Sequence, residues 1–230
     1  ADAGVHGTIA VQARTDEAEN AFLLDVAATT PAILGVVGWV DLTRSDAGDR
    51  LDHWRANRLF KGVREVIQGA PDARFLANPD FHRGIREVTR TGLAYDLLVF
   101  ADQLPAALAF VDAHPDQRIV LDHAGKPPVE GGNFPDSWAA GIREIARRPN
   151  VMAKLSGIVT EVREPGWPWN QSLVQSVVDV MLDSFGPSRL MFGSDWPVCL
   201  PATAYADWAA AVRAAIATLS ADEQNAILDA

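Results

Sequence analysis

Short apolar or β-branched runs alternate along the chain with longer stretches in which apolar residues recur every three or four positions. This is the signature of repeated βα units and a parallel sheet. Seven strand candidates stand out, at 7–13, 33–41, 60–66, 92–97, 118–123, 150–156 and 189–194. The intervening periodicity predicts helices over 16–28, with Ala18, Phe22, Leu23 and Val26 on one face, over 46–57, with Ala47, Leu51 and Trp54, and over 78–90, with Phe81, Ile85 and Val88. Pro79 suits the first turn of the third helix. Further helices are predicted over 104–113, 137–147, 173–185 and 204–219, the last with Trp208, Val212 and Ile216 in register. Ser220-Ala221-Asp222-Glu223 is a capping box that starts a final short helix.

Seven βα units fit either an open doubly wound sheet or a (β/α)8 TIM barrel lacking one unit. The barrel is favoured because no G-x-G-x-x-G follows a strand, no phosphate-binding G-x-x-x-x-G-K-[ST] occurs, and polar residues gather at the C-terminal ends of the strands. The irregular stretches 126–135 and 162–170 both follow strands, which makes them candidates for a lid or a specificity wall. With 230 residues and 48% hydrophobic content, the chain is read as a single barrel domain over 1–230.

Composition narrows the possible partners. A formal net charge of −10 repels polyanions, so no nucleic-acid partner is expected. Cys199 is the single cysteine, which rules out an intramolecular disulfide or a cysteine metal cluster. The apolar runs fall far below the ~20 residues that span a bilayer, so no membrane partner is expected and the reading is cytoplasmic. The expected partner is a small-molecule substrate, with a homo-oligomer left open.

Read in order, the strand ends carry Gln12 and Arg14, then Asp41, Arg64, Asp96, Asp122-His123, Lys154 and Ser156, and finally Asp195. Strand alternation allows only one of Asp122 and His123, and one of Arg64 and Glu65, to face inward. Asp195 follows the apolar run Leu190-Met191-Phe192-Gly193 and is fenced by Trp196-Pro197, a position suited to taking a proton from water. It reads equally as a cap of the following segment. His123 ends a strand and precedes Gly125 and Lys126, which favours function over a packing role. The other histidines, His6, His53, His82 and His114, are expected at the surface or in structural roles. Trp39, Trp54, Trp138 and Trp208 are expected in the core. Trp196, Trp167 and Trp169 are placed on the site face, where they either stack on a sugar or simply close the barrel mouth.

Five motifs in order carry a resemblance: Lys61-Gly62-Val63-Arg64, Tyr95-Asp96-Leu97-Leu98, Asp122-His123-Ala124-Gly125-Lys126-Pro127, Lys154-Leu155-Ser156-Gly157 and Met191-Phe192-Gly193-Ser194-Asp195-Trp196-Pro197. Together they resemble the amidohydrolase-related family, and within it the sugar-acid lactonase branch of L-fuconolactonase and L-rhamnonolactonase, with pyronedicarboxylate lactonase more distant. The resemblance implies that Asp195 activates the hydrolytic water and can bind a metal, and that His123 lies near the scissile carbonyl. It further implies that Lys126 and Arg64 hold substrate oxygens; Asp96 and Ser156, from their strand-end positions, and Trp196 and Trp167, from the site face, are also expected to line the substrate site.

The chain departs from that pattern in two places. The family's first strand ends in His-x-His, which this sequence lacks, and its run at 7–13 resembles the family's second strand, so the first unit is expected to be absent from the chain. Asp96 stands where metal-dependent relatives have histidine. His123 and Asp195 are then the only visible metal ligands, and the expectation is no cofactor or a single zinc-like divalent ion. The expected activity is opening of a sugar-acid lactone. The rivals are a metal-dependent hydrolase, decarboxylase or hydratase on the same scaffold, and a non-catalytic binding protein or truncated remnant.

Overall fold

The computed structural model describes residues 4–69, 73–162 and 169–229, which fall into two compact units. The first comprises Ala1–Leu98 with Ala109–Ile119, the second Val99–Leu108 with Val120–Ala230.

The first unit runs β1 (Thr8–Val11), α1 (Glu17–Thr29), β2 (Ile33–Gly38), α2 (Ala47–Arg55), β3 (Phe60–Glu65), α3 (Pro79–Thr91) and β4 (Ala94–Leu97). Its four strands are parallel and hydrogen-bonded in chain order. The α/β reading therefore holds, with strands shorter than their apolar runs. Helix α3 follows the expected pattern: Pro79 opens it, the Asn78 side chain accepts from Asp80 N, and Phe81, Ile85 and Val88 are buried. Gly92 closes it at φ 74°.

Helix α1 corrects its expected face. Phe22 is 63% exposed, and the buried residues are Asn20, Leu24 and Ala27. The cause is polar. The Asn20 amide donates to Trp39 O (2.7 Å) and its carbonyl accepts from Trp39 N (2.8 Å), so this pair of bonds, not the apolar periodicity, sets the helix's rotation. Gly38 makes the space, since a Cβ there would lie 2.3 Å from Asn20 Oδ1. Trp39 and Trp54, expected in the core, are only half-buried and donate their indole N–H groups to Glu65 and Glu17, both at 2.7 Å.

Two of the histidines read as structural form a pair. His82 Nδ1 lies 2.6 Å from His114 Nε2, and Phe110 packs beside both rings. One imidazole must donate and the other accept. Burial, then His82 and Arg86, holds His114 down to about 4 from its ordinary 6.5. A His depressed on folding contributes stability that is present above its unfolded value and is lost as pH falls toward the folded one. The melting temperature is therefore expected to decline between pH 6.5 and about 4, and His114→Gln should flatten that slope. An identical slope in the variant would remove His114 from the account.

The second unit carries β6 (Val151–Leu155) and β7 (Leu190–Phe192), paired in parallel with Lys154 opposite Met191 and Leu155 opposite Phe192. Around them lie α5 (Asp136–Ile145), α6 (Gln171–Phe185), α7 (Tyr205–Ala215) and α8 (Ala221–Leu228). Helix α4 (Leu104–Asp112) and strand β5 (Ile119–Leu121) each divide between the two residue sets. The core is built from Trp138, Ile142, Val177, Val178, Met181, Trp208 and Val212, all at most 1% exposed, so Trp138 and Trp208 are core residues as expected. The capping box at Ser220 and Glu223 is formed in both directions. No helix among the described residues is long and apolar enough to cross a membrane.

Candidate active site

Strand β5 stops at Leu121, and the chain turns through a short 3-10 segment, Asp122–Gly125. His123, Ala124 and Lys126 take positive φ values of 53°, 51° and 51°. This corrects the alternation argument, which needed the strand to continue through His123. Because the backbone turns left-handed instead, both Asp122 and His123 enter polar contacts of the second unit. Asp122 is fully buried and lies 2.7 Å from Lys154 Nζ. His123 Nδ1 meets Ser156 Oγ at 2.8 Å, and Nε2 lies 3.6 Å from Asp195 Oδ1.

Glycines set this spacing. Gly193 leaves β7 beside Ser156, where a Cβ would come within 2.8 Å of the serine Cβ. Gly157, at φ 63°, lies against the imidazole, and a Cβ there would stand 2.7 Å from His123 Cβ. Any side chain at Gly157 would be strained and would displace His123. The result is a series Gly193, Ser156, His123, Asp195 in which each member constrains the next.

Asp195 follows β7 at φ 53° with its side chain 12% exposed. Its carbonyl accepts from Cys199 N at 2.9 Å, and its carboxylate faces His123. Trp196 is 62% exposed, and Trp169 donates its indole N–H to Ala202 O at 3.1 Å. Trp167 lies outside the described residues, as does most of the loop expected over 162–170.

Lys126 is closed onto the histidine turn by its own N–H, which donates to His123 O at 2.8 Å. Its ammonium, expected to await a substrate oxygen, donates at 2.8 Å to Glu161 Oε1 and lies 5.4 Å from the centre of the Phe100 ring. Glu161 is 4% exposed. The sequence reading passed over it because it lies in a turn beyond β6, where no strand periodicity points to its side chain.

In the first unit, Arg64 and Asp96 are register partners on β3 and β4. Arg64 donates to the Gln12 backbone carbonyl, and Gln12 Nε2 donates back to Arg64 O at 3.1 Å. Asp96 is buried. Glu65, the other side chain of the Arg64 pair, binds Trp39 and Val66 N, and burial pushes its carboxyl up. Asp41 spends its carboxylate on Thr43 N (3.0 Å) and Thr43 Oγ1 (2.6 Å), a turn role in place of the strand-end role expected of it.

Comparison with known proteins places this arrangement. The family model described as amidohydrolase matches residues 1–229. The chain belongs to the amidohydrolase family. This amidohydrolase is 42% identical to the L-fucono-1,5-lactonase of Burkholderia multivorans, over 96% of the chain and 77% of that protein. A zinc-bound crystal structure of an amidohydrolase from B. multivorans aligns with a TM-score of 0.90 at 40% identity, over 96% of this chain and 80% of the other. A probable 2-pyrone-4,6-dicarboxylic acid hydrolase from Acinetobacter baumannii, 22% identical, shares the fold with a TM-score of 0.78, over 97% of this chain and 80% of that one. The chain is thus a hydrolase of an α/β family with parallel strands.

The zinc in that relative makes a divalent ion plausible for the family, and the donor set here can be tested against it. His123 Nε2 and Asp195 Oδ1, 3.6 Å apart, could adjoin one ion, but they are two donors where zinc takes three or four. The described residues bring no third His, Cys, Asp or Glu to them.

Proposed function

We propose that this amidohydrolase opens a sugar-acid 1,5-lactone, with Asp195 as the base that takes a proton from the attacking water. The observation that carries the reading is the Ser156, His123, Asp195 series, in a chain 42% identical to an L-fucono-1,5-lactonase. The carboxylate is partly desolvated, which favours proton acceptance. As water adds to the ring carbonyl, negative charge grows on the carbonyl oxygen, and His123 Nε2–H is the donor that meets it. Ring opening then breaks the C–O bond, and the proton held by Asp195 passes to the departing alkoxide. The product is a hydroxy acid.

Ser156, expected to touch substrate, is better read as a positioning residue. If its hydroxyl donates to Nδ1, the ring proton is held on Nε2, the tautomer that the oxyanion role requires. Ser156→Ala should lower kcat about tenfold or more with little change in KM, because only the tautomer balance is touched. A KM change with kcat intact would return Ser156 to substrate contact.

Arg64 is proposed as a substrate contact on the family resemblance, and Asp96 and Trp196 on their places at the strand ends. The barrel reading, with β1 to β7 as strands two to eight of a (β/α)8 barrel, belongs to the same proposal. It is supported by the parallel order of the strands within each unit and by the zinc-bound relative. A second reading, a metal-assisted hydrolase, is favoured by the zinc in that relative. One experiment tests both: the purified chain is given L-fucono-1,5-lactone with and without a chelator, and acid release is followed. Turnover that survives chelation supports the first reading, turnover lost with one divalent ion per chain supports the second, and no turnover overturns both.

A further inference from the structure

The turns that carry His123 and Asp195 are closed in the same way, each by a tryptophan in the helix that follows. Trp138, in the first turn of α5, donates its indole N–H at 3.0 Å to Ala124 O, one residue past His123. Trp208, in the first turn of α7, donates at 2.8 Å to Gly193 O, two residues before Asp195. The reach back along the chain is nearly equal, at 14 and 15 positions. Both rings are buried. Phenylalanine would supply apolar volume alone, and a buried indole N–H is costly unless it is bonded, so the two donors fix where ring and carbonyl meet. Neither carbonyl lies in a strand. Ala124 stands at φ 51°, a conformation disfavoured for a residue with a Cβ, while Gly193 follows β7 against Ser156 and donates its own N–H to Leu155 O at 3.1 Å.

We propose that Trp138 and Trp208 are positioning residues: their indole bonds hold the backbone beside His123 and Asp195, and so keep Nε2 and Oδ1 at their 3.6 Å separation. The proposal rests on the reading of that pair as the reacting groups. Each tryptophan acts through the backbone of a neighbour, and all four residues belong to the second unit. A misplacement of ~1 Å in a reacting group can cost about a hundredfold in rate, so a bond that fixes a turn bears on turnover as well as on stability. Trp39 and Trp54 are used differently. Their indoles donate to the carboxylates of Glu65 and Glu17, not to a backbone carbonyl.

The test follows opening of L-fucono-1,5-lactone at a temperature well below every variant's melting point. Trp138→Phe and Trp208→Phe should each lower kcat about tenfold with KM within about twofold, because alignment of the reacting groups is lost while binding is kept. Trp54→Phe, which loses an indole bond of the same kind, and Val178→Ala, which opens a space in the same core, should lose stability and keep kcat. If the phenylalanine variants do not fold, Trp138 and Trp208 are each given a benzothiophene ring in place of the indole. That ring keeps the shape, carries sulfur where the N–H was, and should bring the same fall in kcat. Unchanged kcat in the folded variants, a KM change with kcat intact, or an equal loss of kcat in Val178→Ala overturns the proposal while lactone opening still stands. Failure of the unmodified chain to open the lactone overturns the lactonase reading itself, and this proposal with it.

Discussion

Asp195→Asn should lower kcat for lactone opening by about a thousandfold or more, with the folded state intact. The substitution isolates the chemistry well. Asparagine has the same shape as aspartate, and it is one of the few residues at ease with the positive φ of 53° found here. Its amide, however, cannot take a proton from water. Circular dichroism and the melting curve should match wild type while acid release disappears. Turnover within tenfold of wild type would mean that another group activates the water.

The second large effect concerns stability. Asp122→Ala should destabilise the chain by about 3–5 kcal/mol, because removing one partner of a buried ion pair leaves the other charged and unsolvated. Asp122 is fully buried and Lys154 only 16% exposed, so water cannot replace the lost carboxylate. For a chain of this length the melting temperature should fall by on the order of 10 °C. Lys154→Met combined with Asp122→Leu should recover most of that loss, since the pair's value over apolar packing is small. A drop in Asp122→Ala below about 1 kcal/mol would show that the pair is screened as a surface bridge is.

What could be read from the sequence follows from what periodicity encodes. The strands and the face of α3 were legible because burial repeats at a fixed interval there, as Phe81, Ile85 and Val88 illustrate. The face of α1 was not, because Asn20 locks it through two bonds to a residue nineteen positions away. His123 and Asp195 were legible as candidates from where their strands end. Their shared geometry was not, since it depends on a left turn of the backbone that no alternation rule anticipates. Glu161 was invisible for a related reason: its importance lies in its partner, thirty-five positions earlier in the chain.

That left turn also bears on how the protein can change. His123 and Asp195 both sit at φ 53°, a conformation that costs a residue with a side chain about 1–2 kcal/mol and costs glycine almost nothing. A library screened only for heat resistance should therefore gather Gly at these two positions, and lose turnover as it does so. Laboratory evolution of a sturdier variant would have to select for turnover at every round, because the backbone alone does not favour the residues the chemistry needs.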